Sequence, residues 1–293
     1  MLHRRWEIPT FDPFVEEHLV RTLGISPLLV RVLLNRGLDD PVRIQNFLNA
    51  SPSTVFNADP RSFYHPSNML GMDQGVERII EAIVQQELIA VHGDYDVDGI
   101  TGTSLLCTFF REIKVPFTFY IPHRIEEGYD ISIESVDKLH QQGVKLILTT
   151  DCGISAVKAV RYAATLGIDV IITDHHTPPT ELPPAHTIIN PKQIGCPYPF
   201  KELAGVGVAY FVVIALRTKL REKGFFEFHR IEEPNLKRYM DLVAIGTIAD
   251  IVPLREINRV FVKHGLQELN RTQKPGIVAL KELANCKERE VTS

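Results

Sequence analysis

The chain of 293 residues is 44% hydrophobic, which is enough apolar material to fill the core of one large domain or two modest domains. Its 32 basic and 36 acidic residues give a net charge of −4, so the overall charge indicates neither a nucleic-acid binder nor a membrane binder. The four cysteines have no paired or CxxC spacing, which argues against a disulfide framework and a zinc knuckle. A polyanionic partner must therefore be held locally, and the cysteines suit a reducing compartment.

The sequence predicts neither export nor membrane insertion. The first ten residues, MLHRRWEIPT, lack the apolar stretch of a signal peptide. The longest apolar run lies around Val206–Leu216 and is too short to span a bilayer. We therefore expect a cytoplasmic protein without a membrane partner.

Residues up to about 86 show helical patterns that are interrupted by turn residues. Ser26-Pro27 precedes LLVRVLLNRG, and Asp40-Pro41 precedes VRIQNFLNA. A proline close to the first turn is typical of a helix start. The sequence thus predicts short docking helices in an N-terminal helical extension over residues 1–70.

A different pattern begins at Glu87, where short β-rich runs alternate with helical stretches. The runs are LIAVHGD, FTFYIP, KLILTTD, DVIITDHH and TIIN. Such alternation is typical of βαβ units, so we predict an α/β fold with a mostly parallel sheet that helices cover on both faces. The predicted helices lie near Thr101–Ile113, Ser132–Gln142, Ser155–Leu166, Val206–Arg221 and Asn235–Ile251.

Acidic and imidazole side chains follow three of the predicted strands. Ligands of open α/β sheets bind outside the carboxyl ends of the strands, where such side chains would meet. Asp250 lies late in an apolar helical stretch, where an unpaired carboxylate is costly to bury, although a helix cap is an alternative. The sequence therefore predicts a shared cation site. The residues that follow the strands are His92, Asp94, Asp96, Asp98, Asp151, Asp174, His175 and His176.

The spacing within VHGDYDVDGIT supports this interpretation. Asp94, Asp96 and Asp98 occupy alternate positions, so in an extended segment they would project to one side. Three such carboxylates would repel one another unless a cation neutralised them. Carboxylate and imidazole ligands suit Mn²⁺ or Mg²⁺, imidazole favours Mn²⁺, and zinc remains an alternative. A solvated turn or a weak calcium-type loop would explain this motif if it stood alone.

The adjacent histidines are expected to have different roles. In an extended backbone His175 and His176 would point in opposite directions, so they should not serve one ion together. One is expected to be a metal ligand and the other to meet the substrate, with a structural role at the strand end as the alternative.

Other candidate residues have weaker support. Gly205 and Gly207 begin a predicted helix and could offer free N–H groups to a phosphate, although close helix packing explains them equally well. Arg124 follows a strand end, where it would bind phosphate or lie on the surface. Cys152 has no accompanying Cys-His-Asn set that would support a nucleophile. The sequence contains neither a Walker motif nor GxGxxG, which argues against an NTPase or a dinucleotide enzyme.

Four motifs, VHGDYDVDGIT, TTDCGIS, ITDHHTPP and GTIADIVPL, occur in this order and resemble those of the DHH phosphoesterase superfamily. The segments IEEGYD, IINPK and YPFKELAGVGVAY, with the N-terminal LGISPLLVRVLLNRGLDDPVRIQNFL, resemble its RecJ branch of single-strand-specific exonucleases. The resemblance covers nearly the whole chain. It implies a sheet of the DHH type, a catalytic domain over residues 71–257 and a partly helical tail over residues 258–293.

The resemblance also implies a role for each member of the cluster. Two Mn²⁺ ions, or two Mg²⁺ ions, would share Asp151 as a bridging ligand. His176 would contact the scissile phosphate, and Asp94 would be a further ligand or a supporting acid. The first ion would be held by His92, Asp96 and Asp151. The second ion would be held by Asp98, Asp151, His175 and Asp250.

For a RecJ-like protein the implied reaction is hydrolysis of single-stranded DNA from the 5′ end, in recombination and repair, with Arg124 and His176 stabilising phosphate oxygens. The alternatives are an oligonucleotide or cyclic-dinucleotide phosphodiesterase and a non-catalytic replication-associated scaffold, although the intact ligand set argues against the scaffold. Asp130 departs from the branch, which usually has glycine in EGYG. RecJ proteins continue into DHH-associated and oligonucleotide-binding domains, which we expect to be missing after Ser293, so that DNA binding is weak. Protein partners are unknown from the sequence.

Overall fold

The computed structural model describes residues 9–54, 62, 64–286 and 289–292. The chain forms two compact units, Met1–Ser51 and Pro52–Ser293. The first eight residues, which carry most of the stretch that lacks a signal-peptide pattern, lie outside the described residues, and so does Ser293.

The first unit contains the helices α1 (Pro13–Leu23), α2 (Pro27–Asn35) and α3 (Pro41–Asn49). Each begins with a proline, because the first turn of a helix does not need the missing N–H group. A side chain that accepts a backbone N–H precedes each helix, which satisfies one of its free donors. The predicted helix starts at Pro27 and Pro41 are therefore confirmed. The capping residues are Asp12, Ser26 and Asp40. The small core consists of Leu19, Val30, Leu33 and Ile44.

A five-stranded sheet forms the centre of the second unit. Its strands are β1 (Leu88–Gly93), β2 (Phe117–Tyr120), β3 (Val144–Thr150), β4 (Asp169–Thr173) and β5 (Thr187–Ile189). All neighbouring strands run parallel, in the order β2-β1-β3-β4-β5. The five predicted strands and the parallel sheet are confirmed, and the carboxyl ends of the strands lie along one edge.

Helices of the second unit surround this sheet. They are α4 (Met72–Val84), α5 (Val97–Glu112), α6 (Ile133–Gln141), α7 (Val157–Thr165), α8 (Gly205–Glu222), α9 (Phe225–His229), α10 (Met240–Ala249), α11 (Glu256–Arg271) and α12 (Pro275–Leu283). Short 3₁₀ turns cover Pro52–Thr54, Pro66–Asn68 and Leu236–Tyr239.

The two faces of the sheet pack against different helices. On one face, Val136 of α6 and Val160 of α7 share a buried cluster with Val170 and Ile172 of β4. Ile171 points to the other face, where Gly75 of α4 approaches it closely. Helices α4 and α5 both pack against α8, so these helices form the layer on that face. The prediction of a sheet covered on both faces is confirmed.

The apolar run around Val206–Leu216 lies in α8. This helix is buried over most of its length and packs against α4, α5 and α10. Among the helices of the described residues, none is both long and apolar enough to cross a membrane. The run therefore supplies the core of the second unit.

A testable consequence concerns Gly265, where α11 lies against α10. A Cβ added at this position would overlap the backbone oxygen of Met240 and the side chain of Ala244. We expect Gly265→Ala to lower the free energy of unfolding by about 2 kcal/mol, because crowding outweighs the better helix propensity of alanine. Urea denaturation measures this change.

The matched control is Gly276→Ala in α12, where nothing lies within 4 Å of an added Cβ. This variant should be as stable as the parent or slightly more stable. Equal stability of the two variants would show that the contact between α10 and α11 tolerates a methyl group.

Candidate metal centre

The acidic segment that follows β1 turns directly into a helix. Asp96 caps α5, because its Oδ1 accepts the N–H of Gly99 at 3.0 Å. Asp98 therefore lies in the first helical turn. The expectation of an extended segment is wrong, and so is the predicted helix start near Thr101. The physical reason is the Asp96 cap, which satisfies a free N–H group and begins the helix at Val97.

The carboxylates converge through the fold rather than through alternate spacing. Three groups of side chains each place ligand atoms within 4.8 Å of one another, and Asp151 belongs to two of these groups. Asp151 follows β3 directly, in the left-handed backbone region with φ +63°. Sheet geometry and this turn therefore place its carboxylate between the other segments. The groups are Asp94, Asp96 and Asp151; Asp98, His175 and Asp250; and Asp151, His175 and His176.

His175 lies at the centre of the second of these groups. Its Nε2 is 3.8 Å from Asp98 Oδ2 and 3.6 Å from Asp250 Oδ2. It is also 3.1 Å from Asp151 Oδ1. Asp250 is the C-cap residue of α10, as the helix-cap alternative predicted for its position. Its side chain nevertheless lies in the cluster, near His175. The structure therefore brings Asp98, Asp151, His175 and Asp250 together.

The start of α8 holds the buried carboxylate of Asp98. The N–H groups of Gly205 and Val206 donate to its two oxygens, the second at 2.9 Å. The N–H group of Gly205, which a bound phosphate would need, therefore already donates to Asp98. A Cβ added at Gly205 would lie 2.6 Å from the Asp151 Cβ, so close packing explains this glycine. At Gly207 an added Cβ would make only ordinary contacts with Leu203 and Phe261, and a phosphate role there stays a prediction.

His92 is fully buried beside the cluster but is not a member of its three groups. Its ring stacks on Tyr120 with 5.3 Å between the ring centroids. Its Nδ1 lies 3.7 Å from Cys152 Sγ, and burial raises the pKa of the Cys152 thiol. Cys152 therefore packs against His92 in an unreactive form. The assignment of His92 as a metal ligand stays a prediction.

Several buried polar atoms in and beside the cluster make no hydrogen bond among the described residues, although two of them, Asp151 Oδ1 and His175 Nε2, lie 3.1 Å apart. Such atoms are rare in folded proteins, because each carries a desolvation cost. Carboxylate oxygens and imidazole nitrogens are ligands of divalent cations, which would satisfy them. The residues present therefore fit a metal centre. The atoms are His92 Nε2, Asp94 Oδ1, Asp151 Oδ1 and His175 Nε2.

Burial dominates the electrostatics of this centre. It raises the pKa values of Asp98 and Asp151, and the neighbouring carboxylates raise them further. Burial lowers the pKa values of His92 and His175 to about 4, so both imidazoles are neutral near pH 7. Neutral imidazole is the form that binds metal. A cation entering the centre would displace protons from the carboxyl groups.

The rings of His175 and His176 lie side by side with centroids 4.5 Å apart, so the expectation of opposite directions is wrong. The reason is Asp174. Its Oδ1 accepts the backbone N–H groups of His175 and His176 at 2.7 and 3.0 Å, and these bonds bend the backbone after β4. The same oxygen lies 2.8 Å from His176 Nδ1 and raises the pKa of His176. Nδ1 therefore donates to Asp174, and Nε2 of His176 is left for another partner.

The roles of Asp174 and Tyr129 were not predicted from the sequence. For Asp174 a signal exists, because an aspartate whose side chain accepts the backbone N–H groups of the following residues is a known turn pattern. Tyr129 lies far from the cluster in sequence, yet its hydroxyl is 3.3 Å from Asp151 O and from His176 Nδ1. Because Nδ1 already donates to Asp174, the Tyr129 hydroxyl donates to Asp151 O.

Glu127 anchors the loop between β2 and α6. Its carboxylate accepts the Tyr120 hydroxyl at 2.7 Å and Lys138 Nζ at 2.6 Å. The bond from Lys138, followed by that from Tyr120, lowers the pKa of Glu127 to about 2. In the same loop the Arg124 guanidinium lies 5.3 Å from the ring centre of Tyr95, within the acidic segment. The predicted phosphate ligand Arg124 is thus held beside that segment.

Asp130 lies at the end of this loop in a backbone conformation that favours glycine. Its φ is +80°, and its Oδ1 accepts the N–H of Ile131 at 2.8 Å. Burial, followed by the Asp174 charge, raises the pKa of Asp130 to about 6. The position where the RecJ branch usually has glycine therefore carries both backbone strain and a disfavoured charge.

A test of this electrostatic cost compares Asp130→Asn with the parent protein in EDTA. The folded pKa lies above the ordinary aspartate value, so the native state holds its proton more tightly than the unfolded chain. The Asp130 charge therefore costs nothing below about pH 4, and its cost is fully developed above about pH 6. Asparagine keeps the shape of the side chain and tolerates positive φ. We expect the variant to be more stable at pH 8 and to lose this advantage at pH 4.

Thermal unfolding at the two pH values measures the difference. Asp39→Asn, at an exposed position of the first unit, is the control for removing one carboxylate. An advantage of Asp130→Asn that is equal at pH 4 and pH 8 would contradict the assignment of a raised pKa.

Comparison with known proteins places this geometry in a family. Residues 88–247 match the DHH family, N-terminal domain. The single-stranded-DNA-specific exonuclease RecJ of Bacillus subtilis is 41% identical over 96% of this chain and 33% of its own length. The enzyme of the same name from Escherichia coli is 44% identical over 89% of this chain and 44% of its own length. The chain thus spans less than half the length of these curated relatives.

Solved structures agree with the sequence comparison. RecJ from Thermus thermophilus in complex with Mn²⁺ superposes with a TM-score of 0.73 at 28% identity, over 97% of this chain and 39% of that chain. A RecJ exonuclease bound to manganese superposes with a TM-score of 0.63 at 34% identity, over 75% of this chain and 55% of that chain. The segment 88–247 that matches the DHH family contains all five strands and most of the acidic and imidazole cluster. The chain belongs to the DHH family.

Proposed function

We propose that the chain carries the catalytic centre of a metal-dependent phosphodiesterase that cleaves single-stranded DNA from the 5′ end, in recombination and repair. The observation that carries this proposal is the set of buried, unpartnered carboxylate and imidazole atoms around Asp151. Relatives that share this segment are named single-stranded-DNA-specific exonucleases, and related RecJ structures hold Mn²⁺ or Mg²⁺. A cluster of this composition is expensive to fold unless cations occupy it.

The proposed cofactor is a pair of Mn²⁺ ions, with Mg²⁺ as a substitute. The position of Asp151 in two of the three ligand groups supports a shared carboxylate. The neutral imidazole of His175 favours Mn²⁺ over Mg²⁺. The proposed ligands of the first ion are His92, Asp96 and Asp151, with Asp94 beside them. The proposed ligands of the second ion are Asp98, Asp151, His175 and Asp250.

Bound divalent cations would polarise the phosphate and lower the pKa of the attacking water. The protein itself supplies orientation and charge. Asp174 fixes the ring of His176 and keeps a hydrogen on its Nδ1, so Nε2 is available to donate to a phosphate oxygen when the ring is protonated. Asp174 raises the pKa of His176, which increases the fraction of that donor form near neutral pH. Arg124 provides a second cationic group beside the acidic segment.

Exposed apolar and aromatic side chains adjoin the ligands and support a single-stranded substrate. Val97 and Ile100 lie in the first turns of α5, and Ile251 follows Asp250 with 88% of its surface exposed. Tyr129, beside His176, is also exposed. Unpaired bases bind such surfaces by stacking and apolar contact, whereas a duplex keeps its bases covered.

The direct test is hydrolysis of single-stranded DNA, duplex DNA, RNA and dinucleotides with Mn²⁺. We expect cleavage of single-stranded DNA that Asp151→Ala abolishes, because both proposed ions lose a ligand. Asp250→Ala should be milder at high Mn²⁺ concentration, since one ion keeps all its ligands. Asp39→Ala, at an exposed position of the first unit, is the matched control and should behave as the parent.

Near-normal turnover of Asp151→Ala at saturating Mn²⁺ would contradict the proposal that Asp151 is a ligand of both ions. Equal loss in Asp151→Ala and Asp250→Ala at every Mn²⁺ concentration would contradict the proposed division of ligands. Preferential cleavage of dinucleotides would instead support a short-oligonucleotide phosphodiesterase.

A second test separates contact with the substrate from metal binding. His176→Ala should lower the rate of cleavage about a hundredfold while the Mn²⁺ content stays unchanged, because its Nε2 is assigned to phosphate. Elemental analysis of the purified variant measures the Mn²⁺ content. The exposed His140→Ala in α6 is the control for removing an imidazole. Loss of Mn²⁺ from His176→Ala would make His176 a ligand, as its place in one ligand group also allows.

A further inference from the structure

Asn190 connects the turn after β5 to the catalytic histidine. It is fully buried, and its Nδ2 donates to the backbone oxygen of His176 at 2.9 Å. Its Oδ1 accepts the N–H of Lys192 at 2.8 Å. The N–H of Asp174 also donates to Ile189 O, the last residue of β5, at 3.2 Å. The backbone of Lys192 is therefore fixed relative to the turn that carries His176.

Lys192 lies in this turn, two residues after the asparagine that is bonded to the backbone of His176. The charge of its ammonium group reaches His175, His176 and Asp250. The pKa of His176 nevertheless stays raised because of its bond to Asp174, and burial keeps the pKa of Asp250 raised. Lys192 is only partly exposed. Among the described residues, however, no carboxylate lies within the 4 Å of an ion pair with it, and its Nζ makes no hydrogen bond. Within the described part of the chain, Lys192 therefore carries an unpaired positive charge in the turn next to His176.

This arrangement suits a phosphate that lies between two sets of positive charge. The carboxylates would hold cations on one side of the phosphate, and Lys192 would face it from the side of His176. During hydrolysis negative charge builds on the non-bridging oxygens, and a nearby ammonium group stabilises it more in the transition state than in the ground state. A solvated surface lysine, the simplest alternative, would not need a buried asparagine to fix its backbone.

We infer that Lys192 binds a non-bridging oxygen of the scissile phosphate beside His176 and stabilises the charge that develops there. This inference rests on the proposed function, because it assigns a substrate contact at the same centre. Lys192 would then be a catalytic residue outside the acidic motifs and outside Asp174-His175-His176. Asn190 would be the residue that positions it.

The experiment compares Lys192→Met, Lys192→Arg and the parent in cleavage of a single-stranded oligonucleotide at saturating Mn²⁺. We expect Lys192→Met to lose kcat about a hundredfold or more, because a charge contact to the transition state is removed. Lys192→Arg should recover part of the loss, since it restores the charge. The control is Lys145→Met, which removes the same charge from an exposed position near the opposite end of β3 and should keep the parental rate.

Three further measurements separate this role from a structural one. The Mn²⁺ content and the unfolding temperature of Lys192→Met should match those of the parent, while calorimetry should show weaker binding of inorganic phosphate to the Mn²⁺-loaded variant. Parental kcat in Lys192→Met, or parental phosphate affinity, would overturn the inference. If the parent cleaves none of the phosphodiesters but its phosphate affinity still depends on Lys192, the proposed substrate fails while the phosphate contact stands.

Discussion

The burial of several carboxyl groups in one place is the constraint on which the second unit depends. Asp94, Asp98, Asp151 and Asp174 are all buried, and their charges would repel one another in a medium of low dielectric constant. Backbone N–H groups stabilise two of them: the start of α8 donates to Asp98, and the amides of Ile154, His175 and His176 donate to Asp174. Asp94 and Asp151 keep buried oxygens without such donors. Backbone N–H groups thus offset part of the charge of Asp98 and Asp174, whereas the unpartnered oxygens of Asp94 and Asp151 are left for cations.

The cationic groups of the site approach from a different set of elements. His176 follows β4, Lys192 follows β5, and Arg124 lies in the loop after β2. Each has a separate contact: the His176 ring bonds to the Asp174 carboxylate, the Lys192 backbone N–H donates to Asn190, and the Arg124 guanidinium lies beside the ring of Tyr95. The carboxylates proposed as ligands and the cationic groups proposed as substrate contacts therefore lie on separate segments that meet at the carboxyl edge of the sheet. In the proposed function a phosphate would bind between these two sets of groups.

Part of this arrangement follows from the sequence. The apolar runs before His92, Asp151 and Asp174 predict buried parallel strands, and parallel strands bring their ends to one edge. The start of α5 was not predictable in the same way. Aspartates at alternate positions fit an extended acidic segment, and the same sequence also fits an aspartate that caps a helix, as Asp96 does. The orientation of His176 depends on a side-chain bond from Asp174, and the place of Lys192 depends on Asn190. Neither contact leaves a periodic signal in the sequence.

The central claim is that divalent cations satisfy the unpartnered atoms of this centre. Diffraction from a crystal soaked in Mn²⁺, recorded near the manganese absorption edge, tests the claim most directly. We expect two anomalous peaks per chain, one between His92 Nε2 and Asp96 and one beside His175 Nε2 and Asp250, with Asp151 contacting both. A single peak away from Asp151, or no peak at the cluster at saturating Mn²⁺, would contradict it.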